Sequence, residues 1–94
     1  MSTDGRQEIR ASRFILQDKK GKECAALDAT PSGPELVLRD ENGKLRALLA
    51  VDKDGPALRL WDENQRVLVK LDVLKDGPAL RLLDKGGKTI WSAL

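Results

Sequence analysis

Asp54 to Asp76 reads DGPALRLWDENQRVLVKLDVLKD, and the rest of the chain is a set of variations on it. GPELVLRDENGKLRALLAVDK at Gly33 to Lys53 and GPALRLLDKGGKTIWSA at Gly77 to Ala93 follow the same order. A Gly-Pro pair recurs at Gly33, Gly55 and Gly77, each Gly followed by its proline (Pro56 and Pro78 in the later copies). The Asp of an Asp-x-x-Gly-Lys turn recurs at Asp18, Asp40, Asp62 and Asp84, and both series step by 22 residues. A fixed period of this length marks a repeat architecture.

Within each unit apolar residues alternate with other residues, which is the period of a β-strand. Phe14 and Leu16 stand where Leu36 and Leu38, Leu58 and Leu60, and Leu80 and Leu82 stand later. After each turn a second alternating run follows: Leu45, Ala47, Leu49 and Val51 in one copy, Val67, Val69, Leu71 and Val73 in the next. Glu23, Ala25, Leu27 and Ala29 match them in the first copy, and Thr89, Trp91 and Ala93 in the last. With no sustained helical period, the chain reads as all-β. Residues 1–8 are a polar, frayed lead-in, and residues 9–94 form one domain of four hairpin units, about 9–31, 32–53, 54–75 and 76–94. The sheet they build is expected to be a meander, a prism or a solenoid.

Asp-x-x-Gly-Lys is the chemistry of a three-residue hairpin loop, a type I turn closed by one left-handed residue. Gly21, Gly43 and Gly87 supply that residue, whereas the third copy carries Gln65. A non-glycine residue there costs about 1 kcal/mol, so Gln65→Gly is expected to raise the melting temperature. The Gly-Pro junction reads differently. Proline has no N–H for a ladder, so this junction is expected to be a corner at which the chain bends toward the next unit.

Each hairpin is apolar on one face, and a one-faced sheet must bury that face against something. No helix is available to cover it. The other face mixes Ile15, Val37, Leu48, Leu68 and Leu83 with Arg39, Arg59, Arg81 and Lys70. The expectation is a closed symmetric homo-oligomer, with a trimer enclosing a prism-like core the favoured order.

Composition narrows the function. The 94 residues include no His, which removes the commonest general base and metal ligand. The one cysteine, Cys24, excludes an intrachain disulfide and reads as an inert small side chain. Seventeen basic residues are interspersed with fifteen acidic ones, without the basic stripe of a nucleic-acid binder. No apolar run reaches the length of a membrane span and no signal-peptide pattern opens the chain, so a cytoplasmic protein is expected, or a soluble piece of a surface or envelope protein.

The repeated unit Asp-Gly-Pro-x-Leu-x-Leu-x-Asp-x-x-Gly-Lys, closing on Trp91-Ser92-Ala93, resembles a group of uncharacterised bacterial β-repeat proteins over nearly the whole chain from Ile9. The turn after an alternating strand is also similar to the Tyr-Asp (RHS-type) repeats of bacterial surface and toxin-encapsulating proteins, with Leu60-Trp61-Asp62 nearest to their Tyr-Asp. This chain has no Tyr and only four units, and neither resemblance implies a catalytic residue.

Candidate sites are few. The recurring aspartates suggest a carboxylate ladder for Ca²⁺, but calcium wants six to eight converging oxygens and a basic residue follows each turn, so a structural turn is the simpler reading. Trp61, flanked by Arg59, Asp62 and Glu63, has the make-up of a platform for a glycan or a protein partner. Trp91 reads as a plug at the end of the core, and Lys19, Lys20 and Lys22 as a solvated turn tip. No metal or cofactor is expected. A non-catalytic, self-assembling structural or interaction module is therefore the leading expectation, a glycan-binding module using Trp61 the alternative, and an enzyme is not expected.

Overall fold

The computed structural model describes residues 5–93; residues 1–4 of the expected lead-in and Leu94 lie outside the described residues. Eight strands follow one another: β1 (Arg13–Gln17), β2 (Glu23–Thr30), β3 (Gly33–Arg39), β4 (Leu45–Asp52), β5 (Gly55–Trp61), β6 (Val67–Leu74), β7 (Gly77–Leu83) and β8 (Thr89–Ala93). Each pairs antiparallel with its sequence neighbour in one open sheet, ordered β1 to β8. Among the described residues there is no helix, and each strand contacts only its neighbours in sequence.

The Asp turns form as their chemistry requires. The Gly21 amide donates to the Asp18 carbonyl at 3.0 Å, and the Asp18 amide to the Lys22 carbonyl at 2.9 Å. Asp18 Oδ1 then accepts the amides of Lys20 and Lys22, both at 2.9 Å. The same set recurs at Asp40, Asp62 and Asp84. The closing residues Gly21, Gly43 and Gly87 have φ of 82°, 81° and 86°, and Gln65 takes the same conformation at 65°.

Beside every one of these turns the register shifts by one residue, between Leu16 and Gln17, Leu38 and Arg39, Leu60 and Trp61, and Leu82 and Leu83. The bulge corrects the simple alternation. Leu45 pairs with Arg39 and Val67 with Trp61, so these residues, with Glu23 and Thr89, leave the apolar set and join the mixed face. Glu23 shows it directly, reaching Arg13 at 3.1 Å and Arg39 at 3.7 Å on that face.

The Gly-Pro junctions are not corners. Thr30 pairs with Gly33, Asp52 with Gly55 and Leu74 with Gly77, so each junction is a tight two-residue hairpin within the same sheet. Proline fits because it is paired on one side only. Pro34 lies opposite Ala29 of β2, while the ladder from β3 to β4 starts one residue later at Glu35 and Ala50. No N–H is therefore asked of it. Gly33, at φ 136°, is pressed against β4, and a Cβ there would fall on the Val51 carbonyl oxygen.

Candidate interaction surface

Residues opposite one another in the register share a face, so the pairing sorts every side chain. One row runs from Phe14 on β1 through Leu27, Leu36, Leu49, Leu58, Leu71 and Leu80 to Ala93 on β8. A second runs from Leu16 through Leu38, Leu60 and Leu82 to Trp91, with Ala25, Ala47 and Val69 between them. Toward the Gly-Pro end, Ala29 with Pro34, Val51 with Pro56, and Val73 with Pro78 complete the same face. None of these side chains is charged, and the Trp91 indole N–H is their one polar group.

Among the described residues this face is left open to solvent. Leu27 is 52% exposed, Leu49 49% and Trp91 50%, and a shallow groove bordered by Leu27, Pro34, Leu36, Leu49 and Val51 runs along it. The most buried residues, Ala26, Val37 and Ala79, are small side chains on the opposite, mixed face. Charged side chains pair with one another on that face. Arg13 bonds both Asp28 and Glu23 at 3.1 Å, and Arg59 bonds Asp72 at 2.8 Å. Arg59, Lys70 and Arg81 stand directly opposite one another on β5, β6 and β7, which makes Asp72 the carboxylate that offsets a row of like charges.

The turn aspartates are occupied by their own loops. At Asp62 the Arg66 amide is the strongest influence; with the Asn64 amide and the Arg66 guanidinium it holds the carboxyl below the ordinary aspartate value, against the opposing effect of burial. At Asp40 burial is the largest single influence and acts upward, but the amides of Lys44 and Asn42, together with Arg46, outweigh it. Each Oδ1 already accepts two amides, which commits the residue to the turn.

The residues singled out as a platform are dispersed among structural tasks. Trp61 is half-buried on the mixed face beside the bulge, and its carbonyl accepts the Arg46 guanidinium at 2.9 Å. Arg59 is bonded to Asp72 and to the Leu58 carbonyl, and Asp62 closes its turn. The Glu63 carbonyl accepts the Lys44 ammonium at 2.8 Å, as the Glu41 carbonyl accepts that of Lys22 at 2.7 Å. Lys22 is thus part of a brace between neighbouring turn loops, a role that the sequence does not announce. Cys24 is half-buried with its Sγ 3.6 Å from the Lys22 carbonyl. Among the described residues no helix is long and apolar enough to cross a membrane. No protein-family model matches the chain, and a search of curated proteins finds no match.

Proposed function

We propose that this protein is a non-catalytic structural module that assembles with copies of itself, burying the apolar face of its sheet between them. The observation that carries this reading is the unbroken apolar surface from Phe14 to Trp91, exposed among the described residues. Monomeric proteins rarely leave so large a contiguous apolar patch in water. Eight strands at about 4.8 Å and five residues at about 3.4 Å give roughly 600 Å² of flat sheet per copy, the size class of a stable pair.

The width of the sheet favours two copies face to face over the trimeric prism expected from the sequence. Three sheets roughly 34 Å wide place the prism axis about 10 Å from each wall, whereas packed sheets meet at about 5 Å from each. Leu, Val and Ala side chains do not fill that space. A glycan platform at Trp61 is the weaker reading, because Arg59 and Asp62 are already bonded within the sheet.

Light scattering on a sizing column, over a range of concentrations, tests the proposal. The wild type is expected at a multiple of 10.4 kDa. Leu49→Lys, in the centre of the leucine row, is expected to return it to the monomer with its β-sheet circular dichroism retained. A wild-type monomer at tens of micromolar, or an unchanged mass for the variant, overturns the reading.

A further inference from the structure

The sheet is open, so β1 and β8 each leave one side of their backbone without a partner among the described residues. Natural sheets blunt such edges with proline, inward-pointing charge or a covering element. Here β1 reads RFILQ and β8 TIWSA, with no proline in either and no charged residue in β8. Every residue of both strands is exposed.

We infer that β8 of one copy adds to β1 of the next, continuing the ladder from chain to chain. Along the central row facing residues step by eleven from strand to strand: Ile15, Ala26, Val37, Leu48, Arg59, Lys70, Arg81 and Ser92. Carried across the seam, that step sets Ser92 opposite Ile15 of the partner subunit, Trp91 opposite Leu16 of the partner subunit, and Ala93 opposite Phe14 of the partner subunit. The apolar rows then run on without a break or a facing pair of charges, and all the Asp turns remain at one end. Homotypic pairing of two β1 or two β8 strands would instead set the Asp-turn end of one copy beside the Gly-Pro end of the other.

The edges also hold apolar surface that face-to-face packing leaves in water. Ile90 is 64% exposed at its bulge, and Ile15 is 48% exposed on the mixed face. In the continued register they become diagonal neighbours, close enough for long side chains to touch. The inference rests on the self-assembly reading, because a single pair of five-residue strands is weak and gains from copies already held together. An edge contact of this kind is head-to-tail, so it grows into a filament or closes into a ring.

Disulfide trapping tests it. In a Cys24→Ala background, Ile15→Cys with Ser92→Cys is expected to give a covalent ladder of two, three and more copies under mild oxidation. Ile15→Cys with Ile90→Cys, displaced by two residues, is expected to give little. Monomer bands alone, with the mass in solution still multimeric, overturn the edge contact and leave the face-to-face reading standing. A fast-migrating monomer means that the sheet closes on itself, and a covalent dimer from either single cysteine means homotypic edges; both overturn the inference. So does a ladder equally strong in the displaced pair. The charge pairs are a second check: Ile15→Lys with Ser92→Lys is expected to cut growth to the face-to-face pair, and Ile15→Glu with Ser92→Lys to restore it. Equal growth in both variants overturns the contact.

Discussion

Gln65 holds Leu45: its side-chain amide donates to the Leu45 carbonyl at 2.9 Å, across the seam between two hairpins. The same residue carries the left-handed backbone, φ 65°, that glycine adopts in the other three turns. Strain of about 1 kcal/mol is thus set against a net hydrogen bond of about 0.5–1.5 kcal/mol. Gln65→Gly is therefore expected to leave the melting temperature nearly unchanged, where backbone strain alone predicts a rise. Gln65→Ala keeps the strain, loses the bond, and is expected to lower stability by about 1 kcal/mol, or roughly 4–8 °C. Thermal denaturation of the two variants checks both.

Glycine meets two different demands in this sheet. At Gly21 the positive φ is the only demand, and nothing lies within 4 Å of an added Cβ. At Gly33 and Gly55 an added Cβ would strike the carbonyl oxygens of Val51 and Val73 as well. Gly21→Ala is expected to cost about 1–2 kcal/mol. Gly55→Ala should cost more than that, because backbone on both strands must shift. Chemical denaturation of the pair gives the comparison, and equal losses contradict the close approach.

Asp40 and Asp62 link stability to pH on the acid side. Their folded carboxyls titrate below the unfolded value, so the folded state binds fewer protons than the unfolded one as pH falls. Their contribution is complete above the unfolded aspartate value of about 3.9 and is lost as pH falls through the lower folded value. Stability is expected to be level near neutral pH and to drop below about pH 4. Asp62→Asn should flatten the drop, as read from melting temperatures between pH 2 and pH 7.

Asp72 holds Arg59 at 2.8 Å within the row of Arg59, Lys70 and Arg81. Asp72→Ala removes the charged hydrogen bond and leaves the like charges opposed, an expected loss of about 1.5–3 kcal/mol. Added salt screens the repulsion, so the loss should shrink at about 1 M salt. Denaturant midpoints at low and high salt read the effect.

Much of this architecture is local, and local features are legible in a linear sequence. The Asp turns and the alternation of Leu36 and Leu38, or Leu58 and Leu60, specify strands and hairpins without reference to anything distant. The bulges are less legible. A single extra residue beside each turn, where Leu45 and Val67 begin their strands, moves both to the mixed face, and only pairing with Arg39 and Trp61 reveals it. Trp61 stands in the sequence as an aromatic among charged residues, yet Arg59, Arg46 and Asp62 around it are engaged by Asp72, the Trp61 carbonyl and the turn amides.

The 22-residue period, the turn chemistry and the absence of a helical period determine by themselves that the chain is a series of β-strands joined in sequence order. The tertiary structure decided the rest: the Gly-Pro junctions are hairpins rather than corners, the eight strands lie in one open layer, and the apolar rows are exposed among the described residues. The physical reason is that a proline is costly only where its missing N–H is needed. Whether the neighbouring strand asks for that N–H depends on where the two ladders begin, which no local stretch of sequence contains.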